Sequence, residues 1–409
     1  MAKVIVVGGG AAGLVAAWRA ASLGHQVQLL EANGRLGVKL RISGGGKCNI
    51  THDGPPKLLL EAFSRPQSRF LKPALLAFDN QAVLNLLHRE GVDTYARENG
   101  RVFPLDRPGS ATAVVAAFET LARGAGADLC TGVRVTGLEG QAPHLDGLVL
   151  DGTRISGEVF ILATGGASYP ETGTRGEVLG WLKSLGVPIR PWFPSLAPIP
   201  LHRPRPGWEG VSLRDGELRL HAGAEGRRIS SFKGDMVFTK TGISGPSALE
   251  VSQAAEQARR DGAAWLVYAA VMDPPETVDA SLQREQLTNP RLLAATWLQR
   301  HLPERLVEPL LQDIGLERSL MLKDLPKVGR KGLVALVTAL PLGEPRPVPL
   351  ARGEVAAGGV DLRAVDCQTM ALRGWDNLRV CGELLDIDGP VGGYNLQAAF
   401  STGYAAGSI

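Results

Sequence analysis

K-V-I-V-V-G-G-G-A-A-G-L, residues 3 to 14, is the stretch that decides the fold class. A β-branched run of the kind found in buried parallel strands ends at Val7, and an alanine-rich helical pattern follows the glycines as far as Leu23. A second predicted strand covers Gln26 to Glu31. We therefore predict a β-α-β unit that opens an α/β fold.

The glycine spacing in this unit, Gly8-x-Gly10-x-x-Gly13, is the fingerprint of dinucleotide binding. Gly8 permits a tight turn, Gly10 lets backbone approach a pyrophosphate, and Gly13 allows the helix to pack closely on the strand. Glu31 follows 18 residues after Gly13, where a carboxylate accepts hydrogen bonds from ribose hydroxyls. NAD and FAD both use this fingerprint, so the segment alone leaves two cofactors open.

Composition and charge place the chain among ordinary globular proteins. Its 409 residues are 44% hydrophobic and 21% charged, and 44 Lys and Arg nearly balance 41 Asp and Glu. A net charge of +3 is far from the concentrated basic charge of dedicated nucleic-acid surfaces, so we expect no nucleic-acid partner. The sequence contains no apolar run of about 18 residues, so we expect no membrane-spanning helix. The N-terminus does not show the pattern of a signal peptide.

The four cysteines are widely spaced and include no C-x-x-C pair: Cys48, Cys130, Cys367 and Cys381. This pattern predicts neither a metal site nor a local dithiol redox centre. We expect reduced thiols and a cytoplasmic protein. Cys48 has two interpretations, a thiol that faces a cofactor or an inert buried side chain.

Two proline-rich stretches divide the chain. Seven prolines lie between residues 188 and 206, and four lie between residues 341 and 349. Because proline fixes φ and lacks an amide donor, we expect neither stretch to lie inside a regular element, and we interpret both as hinges.

These hinges predict two domains. Residues 1–190 and 346–409 form one discontinuous domain, and residues 191–345 form an inserted domain. The inserted domain is predicted to begin with several strands and to be helical at 291 to 315.

Several segments along the chain match a known family pattern. On these segments the chain resembles the aminoacetone oxidase family of FAD-binding proteins, which also contains bile-acid-pathway ring reductases. The matching segments span nearly the whole chain in family order: V-V-G-G-G-A-A-G-L, I-S-G-G-G-K-C-N-I-T-H, I-L-A-T-G-G-A-S-Y-P, F-T-K-T-G-I-S-G-P-S-A-L, A-A-G-G-V and C-G-E-L-L-D-I-D-G-P-V-G-G-Y-N-L-Q-A-A-F. The resemblance implies FAD and a Rossmann-like FAD-binding domain of the glutathione-reductase type. It also implies an inserted β-rich domain and a small helical subdomain that caps the flavin.

The resemblance also implies a set of cofactor-binding residues. The pyrophosphate is assigned to the first glycines, the ribose to Glu31, the adenine to the backbone of Val135, and the isoalloxazine to the residues after Gly392. In chain order the set is Gly8, Gly10, Ala12, Gly13, Glu31, Arg35, Lys39, Ser43, Gly44, Gly45, Gly46, Asn49, Val135, Thr164, Gly165, Gly382, Glu383, Gly392, Gly393, Asn395 and Leu396.

The C-terminal part of this set also has a physical reason. Reduced flavin carries negative charge near N1 and O2, and a helix N-terminus supplies about half a positive charge together with unpaired amides. The helical pattern that opens with G-G-Y-N near Gly393 suits that task. An ordinary helix that packs through Leu396 and Phe400 explains the apolar face but not the doubled glycine.

The glycine triplet in R-I-S-G-G-G-K-C-N-I-T-H, residues 41 to 52, is not a nucleoside-triphosphate loop. G-x-x-x-x-G-K-[ST] would need Gly at position 41 and Ser or Thr at position 48, which are Arg41 and Cys48. We interpret the triplet as backbone that approaches the pyrophosphate or flavin ring closely.

The predicted activity is that of an FAD-dependent oxidoreductase which transfers hydride between a small organic substrate and flavin N5, because the flavin carries the chemistry. The resemblance leaves an amine oxidase and an enone or ring reductase open, with the inserted domain as lid. A flavoprotein acting on RNA and a non-catalytic FAD-binding module are the alternatives. No second G-x-G-x-x-G follows a strand, so NAD(P)H is at most a transient electron donor. The sequence leaves the oligomeric state open.

The catalytic acid or base is not identified by any motif. The candidates lie near glycine-rich segments, with Lys240 standing where the family pattern has His. They are Lys240, Tyr394 and His52, followed by Lys233, Arg352 and Asp388.

Gly44→Val is expected to weaken flavin retention, because a branched side chain keeps backbone amides away from the cofactor. The flavin absorbance per mole of purified protein measures retention. Flavin occupancy equal to that of the wild type would count against the triplet as a cofactor contact.

Overall fold

The computed structural model describes residues 1–105 and 109–409, which divide into two compact units. The first unit comprises Met1–Phe193 and Leu350–Ile409, and the second comprises Pro194–Pro349. Each unit has its own hydrophobic core. Within the described ranges, no helix is long and apolar enough to cross a membrane.

A five-stranded parallel sheet forms the centre of the first unit. Its strands lie in the order Leu378–Val380, Val159–Leu162, Lys3–Val7, Gln26–Glu31 and Asp128–Thr131. In the central strand, Val6 lies opposite Ile161 on one side and Leu29 on the other. The strand interiors are buried, which accounts for their continuous apolar runs. The predicted α/β, Rossmann-like fold is confirmed.

Helices and smaller sheets complete the first unit. Its helices are Ala11–Ser22, Val38–Ile42, Pro56–Glu61, Arg65–Ala77, Asn80–Arg89, Ser110–Gly124, Glu177–Ser184 and Tyr394–Gly407. Thr51–His52, Arg101–Pro104 and Thr94–Ala96 form one antiparallel sheet, and Gly137–Gln141, His144–Leu150 and Thr153–Ile155 form another. Ile189–Ser195, which begins in this unit, pairs with Val355–Val360.

Two helices of the first unit, Ala11–Ser22 and Tyr394–Gly407, approach closely enough to exclude side chains between them. A Cβ on Gly403 would lie 2.3 Å from the carbonyl oxygen of Ala12, and one on Gly407 would lie 2.4 Å from that of Ala16. Both contacts advance by four residues in the same direction. The helices are therefore parallel, and their N-termini point to the same end of the pair.

The second unit contains two four-stranded sheets and is also rich in helices. One sheet has the order Ile199–Pro200, Gly242–Ser244, Met236–Thr239 and Ser212–Leu213, and the other has Arg228–Lys233, Glu217–His221, Trp265–Ala269 and Leu340–Gly343. Its helices are Pro246–Arg260, Pro275–Thr288, Ala294–Gln299, Glu304–Asp313 and Lys327–Thr338. The helical pattern predicted at 291 to 315 corresponds to the third and fourth of these helices.

The prediction that neither proline-rich stretch lies inside a regular element is wrong. The strand Ile189–Ser195 includes Pro191 and Pro194, and the strand Leu340–Gly343 includes Pro341. The first strand belongs to a two-stranded sheet and the second lies last in its sheet. Because an edge strand leaves one row of amides without a ladder partner, proline is tolerated there.

Gly403→Ala is expected to lower the free energy of unfolding by about 1–3 kcal/mol, because the backbone of Ala12 must move to admit the methyl group. Gly180→Ala is the matched control, since Gly180 also lies within a helix but a Cβ there would meet no atom within 4 Å. Helix propensity alone predicts that the control raises stability by up to about 1 kcal/mol. Urea denaturation measures both changes, and equal effects would contradict the close helix contact.

Candidate functional site

The N-terminus of helix Ala11–Ser22 provides an open, uncapped set of amides. Gly10 is the N-cap residue, and none of the described side chains caps this helix. A Cβ on Gly10 would meet no atom within 4 Å, whereas one on Gly8 would lie 2.5 Å from the carbonyl oxygen of Ala163. A Cβ on Gly13 would lie 1.9 Å from the carbonyl oxygen of Gly8. Gly8 and Gly13 thus serve packing, and Gly10 leaves space for a pyrophosphate beside free amides.

Glu31, at the end of the second strand, is fixed by backbone around the fingerprint. Its Oε2 accepts a hydrogen bond from the Gly9 amide at 2.7 Å. Its Oε1 accepts from the backbone and side-chain amides of Asn33 at 2.8 and 2.6 Å. An ionised carboxylate offers about four acceptor directions, so one remains for a ribose hydroxyl. No sequence pattern indicated Asn33, whose side-chain amide also donates to the carbonyl oxygen of Thr172 at 2.9 Å.

Thr164 carries a polar atom that lacks a partner. Its hydroxyl oxygen is buried, and it makes no hydrogen bond within the described part of the chain. It follows the strand Val159–Leu162, and the next residue, Gly165, has φ +78°. An unpaired buried hydroxyl costs about 1–3 kcal/mol, so this group fits a phosphate or ribose oxygen of a bound dinucleotide.

The structure brings two predicted site residues, Lys39 and Glu383, into one ion pair. The Glu383 carboxylate lies 2.5 Å from Lys39 Nζ, and it accepts hydrogen bonds from Ser168 Oγ at 3.1 Å and from the Ala356 amide at 3.0 Å. Lys39 Nζ also donates to Ser168 Oγ at 2.6 Å. Glu383 therefore ties together segments that the sequence separates by up to 344 residues.

The glycine triplet lies in a left-handed turn. Gly44, Gly45 and Gly46 have φ of +58°, +68° and +83°, values that favour glycine. In the amide orientation that satisfies its neighbours, Asn49 Oδ1 accepts a hydrogen bond from the Gly393 amide at 2.9 Å. The loop that follows the triplet is thus attached to the start of the C-terminal helix.

Cys48 follows this turn and is fully buried. Burial raises the pKa of its thiol to about 12, and burial raises the pKa of Cys381 to the same value. Both groups are protonated thiols near neutral pH and are unsuited to nucleophilic or redox chemistry. Of the two interpretations of Cys48, the inert buried side chain fits.

The N-cap residue of helix Tyr394–Gly407 likewise makes no side-chain capping hydrogen bond. Gly393 is its N-cap with φ +93°, and a Cβ there would lie 2.3 Å from the carbonyl oxygen of Thr51. The side chain of Asn395 turns back, accepting from the Gly389 amide at 2.7 Å and donating to the Gly389 carbonyl at 2.8 Å. This side chain therefore shapes the glycine-rich loop.

The N-termini of these two helices are staggered along one parallel pair. Gly403 lies beside Ala12, and its helix begins at Tyr394, nine residues earlier. Ala12 lies one residue after the start of its own helix, so the two N-termini differ by eight residues, and at 1.5 Å per residue the stagger is about 12 Å. The partial positive charges at both ends favour anionic groups. A pyrophosphate at one N-terminus and a flavin ring at the other, joined by a ribityl chain, suit this arrangement, and the residues present fit FAD.

The remaining predicted cofactor residues differ in how far they are buried. Ala12 and Val135 are buried within the core of the first unit. Leu396 is half-buried against the same core, and Arg35 is exposed. Gly382, with φ +70°, packs against Ala12, since a Cβ there would lie 2.8 Å from the Ala12 Cβ.

Two of the three leading catalytic candidates lie together. The rings of His52 and Tyr394 are stacked with centroids 4.6 Å apart and an interplanar angle of 19°. His52 Nδ1 lies 3.2 Å from the carbonyl oxygen of Gly392, and a Cβ on Gly100 would lie 2.4 Å from His52 Nε2. Glycine at these two positions therefore makes room for the ring pair. Lys240 lies in an exposed turn of the second unit.

The remaining catalytic candidates are Lys233, Arg352 and Asp388. Lys233 is exposed in the second unit, and Arg352 is exposed in the first. Asp388 Oδ1 accepts a hydrogen bond from Gln67 Nε2 at 3.1 Å. Over the described ranges, no group of three or more His, Cys, Asp or Glu side chains is arranged to hold a metal ion.

The sequence interpretation missed a group of charged and polar residues near Lys39: Arg101, Tyr169 and Glu354. The side chain of Glu354 is exposed, but desolvation by the protein around it raises the pKa of its carboxyl group, while the charges of Arg101 and Lys39 act to lower that pKa. Burial also raises the pKa of Tyr169, and the nearby charge of Glu354 adds to the rise. These residues are far apart in sequence and match no motif, so only the fold reveals them.

Comparisons with known proteins identify the family and the fold. The family model described as HI0933-like protein Rossmann domain matches residues 2–409. A ribosomal RNA dihydrouridine synthase from Escherichia coli is 28% identical over 98% of this chain and 96% of its own length. A 3-dehydro-bile acid delta(4,6)-reductase from Clostridium scindens is 28% identical over 100% of this chain and 98% of its own.

A solved structure shows the same fold. It is 3-ketosteroid delta1-dehydrogenase from Sterolibacterium denitrificans, with a TM-score of 0.54 and 14% identity. The match covers 99% of this chain and 98% of that one. At this identity the likeness concerns the fold alone.

Thr164→Val is expected to leave the FAD-free protein equally stable or to stabilise it by about 1–3 kcal/mol, because it removes an unpaired buried hydroxyl. The same change is expected to reduce the stabilisation that added FAD provides. Thermal unfolding with and without FAD measures both effects.

Thr402→Val serves as the control, since its hydroxyl donates to the Ala398 carbonyl at 2.7 Å and accepts from the Gly382 amide at 3.0 Å. This control should destabilise the protein without FAD. A Thr164→Val protein that loses stability without FAD and keeps the full FAD response would contradict the assignment.

Proposed function

Because the chain belongs to the HI0933-like family and is an FAD-dependent oxidoreductase, we propose that it reduces a carbon–carbon double bond conjugated to a carbonyl group. Two relatives whose names state different substrates support this choice, a bile acid delta(4,6)-reductase and a ribosomal RNA dihydrouridine synthase. Formation of dihydrouridine reduces a ring double bond conjugated to a uracil carbonyl. A 3-dehydro bile acid carries a ketone in conjugation with its ring double bonds. The common chemistry is reduction of an enone-like unit.

The observation that carries the proposal is the pair of staggered helix N-termini in the first unit. When bound, FAD supplies the hydride. The amides at Gly10 to Gly13 would hold the pyrophosphate, and those at the start of Tyr394–Gly407 would favour negative charge at the ring end. Such an arrangement would suit hydride transfer from a reduced cofactor and would leave proton delivery to side chains.

The stacked His52 and Tyr394 rings are assigned to the substrate carbonyl. Hydride addition to an enone gathers negative charge on the carbonyl oxygen, and hydrogen-bond donors at that oxygen lower the barrier. The ring pair stands at the start of the C-terminal helix, where His52 Nδ1 lies 3.2 Å from the Gly392 carbonyl. Lys240, in the second unit, has no role in this proposal.

Substrate size is the point on which the relatives differ. The small net charge of +3 favours a small molecule over RNA, and the expectation of no nucleic-acid partner stays a prediction. A uridine within RNA is the second candidate, because a relative that matches 98% of this chain is named for that reaction. Amine oxidation, which the sequence left open, remains an alternative with the opposite direction of electron flow.

The test is the oxidative half-reaction of the purified FAD-bound enzyme. After anaerobic photoreduction, the enzyme is mixed with cyclohexenone, an enone steroid or a uridine-containing RNA oligonucleotide, with cyclohexene as the unconjugated control. We expect conjugated substrates to restore the oxidised flavin spectrum with saturated product found by mass spectrometry, and cyclohexene to have no effect.

Two further additions decide between the alternatives. NADPH and a primary amine are each added to the oxidised enzyme, and a donor is identified by bleaching of the flavin absorbance. Bleaching by the amine combined with no reoxidation by any conjugated substrate would contradict the proposed reductase and favour amine oxidation. Reoxidation by RNA alone would favour the second candidate.

A further inference from the structure

We propose that a buried hydrogen-bond network positions the rings of His52 and Tyr394 for the substrate carbonyl group. The polar network consists of four fully buried side chains, those of Thr51, Asn80, Gln397 and Ser401. The inference rests on the proposed function and deepens it, since it names the residues that hold the assigned carbonyl-binding pair in place. They are positioning residues, because they act through the segments that carry the two rings.

The two rings come from different elements of the first unit. His52 ends the strand Thr51–His52, and Tyr394 begins the helix Tyr394–Gly407. Their centroid distance of 4.6 Å and interplanar angle of 19° therefore depend on how the strand lies against the helix. Donors that stabilise charge on a substrate oxygen must be held in place before the reaction, so this relative position matters for catalysis.

A direct side-chain hydrogen bond joins the two elements. Thr51 Oγ1 donates to Gln397 Oε1 at 2.7 Å. Thr51 is the neighbour of His52 in the strand, and Gln397 lies three residues after Tyr394, about one helical turn further along. The bond thus fixes the strand against the helix within about one turn of the stacked rings.

The other end of the Gln397 side chain is anchored at Phe78, which follows the helix Arg65–Ala77. Gln397 Nε2 donates to the Phe78 carbonyl oxygen at 3.2 Å and to Ser401 Oγ at 3.0 Å, and Ser401 Oγ donates to the same carbonyl oxygen at 2.7 Å. Both polar atoms of the Gln397 side chain therefore have partners, as a buried amide requires. The helix Tyr394–Gly407 is held at Phe78 by two of its side chains.

The residues around Phe78 also hold the strand that carries His52. Asn80, two residues after Phe78, donates through Nδ2 to the carbonyl oxygens of His52 and Gly54, each at 2.9 Å. The Oδ1 atom of Asn80 is buried and makes no hydrogen bond within the described ranges, which is a cost that an apolar side chain would avoid. Both ring-bearing elements are thus attached to residues 78 to 80.

Apolar packing alone would not fix this arrangement as closely. A leucine at position 397 could fill a similar volume, but apolar contacts have no preferred direction, so the strand could shift against the helix. Hydrogen bonds prefer a narrow range of distances and angles, and bonds in a buried network strengthen one another. A polar network is therefore suited to holding two rings from separate elements in one geometry.

The kinetic test uses Thr51→Val in the photoreduced FAD-bound enzyme, with cyclohexenone as the substrate. Valine keeps the shape of the side chain and removes the hydroxyl, which leaves Gln397 Oε1 without its donor. Because displacement of a catalytic group by about 1 Å costs about 10²-fold in rate, the limiting rate of reoxidation is expected to fall about 10–100-fold. FAD content and reoxidation by oxygen, which has no carbonyl group, should be unchanged. Thr51→Ser, which keeps a hydroxyl, should recover most of the rate.

Thr338→Val is the matched control. Thr338 is also buried, and its hydroxyl donates to the carbonyl oxygen of Val334 at 2.8 Å within a helix of the second unit. The same substitution there removes a buried hydrogen bond that does not belong to the polar network. Its rate with cyclohexenone should equal that of the wild type, even where urea denaturation shows an equal loss of stability in the two variants.

A second measurement, by NMR of histidine-labelled protein, is independent of turnover. Stacking on a tyrosine ring moves the proton resonances of a histidine ring upfield, and His52 is identified by the loss of its signal in His52→Gln. Thr51→Val and Gln397→Leu are expected to move the His52 resonance toward its position in Tyr394→Leu, where the stack is absent. Thr51→Ser and Thr338→Val should leave it in place.

The outcomes separate this inference from the proposed function. A wild-type enzyme that no conjugated substrate reoxidises would overturn the proposed function, and the His52 resonance then decides alone whether the polar network holds the ring pair. In an active enzyme, an unshifted His52 resonance in Thr51→Val would overturn the inference, whatever the rate. A shifted resonance with a wild-type rate would overturn it as well, because the position of the rings would then not matter for the reaction.

Discussion

The contact of Gly403 with the backbone of Ala12 is the constraint on which the candidate site depends. With Gly407 against Ala16, it holds the last helix of the chain parallel to the first. Because neither contact leaves room for a Cβ, the axial position of one helix on the other is fixed to within a fraction of a turn. The stagger of about 12 Å between the N-termini of the two helices follows directly from this contact.

The glycines of this chain serve two physical purposes. At Gly8, Gly13 and Gly403 an added Cβ would collide with backbone, so glycine there permits close packing. At Gly10 and Gly45 an added Cβ would meet nothing within 4 Å, so the backbone is open to a ligand. The fingerprint spacing predicted the open backbone at Gly10 and the close packing at Gly13, whereas it assigned Gly8 to a tight turn. The sequence contains no sign that Gly403 belongs to the packing group.

Local patterns predicted the parts of the fold that local physics decides. The first strand, the first helix and the second strand were predicted because apolar runs and glycine spacing determine them within about 30 residues. The strands at 189–195 and 340–343 were missed because an edge position, which makes proline acceptable, is a property of the whole sheet. The residues of the candidate site likewise divide into those that local patterns predict and those that only the fold brings together. Glu31 followed from its spacing to Gly13, whereas the Lys39–Glu383 pair and the grouping of Arg101 with Glu354 depend on contacts between distant segments.

Amide hydrogen–deuterium exchange in the presence and absence of FAD tests most directly whether one cofactor occupies both helix N-termini. If one FAD molecule occupies both helix N-termini, FAD slows amide exchange at residues 10 to 13, at residues 44 to 49 and at residues 393 to 396. The slowing at all three segments then has one common dependence on FAD concentration. Slowed exchange at residues 10 to 13 alone, with residues 393 to 396 unchanged at saturating FAD, would contradict it.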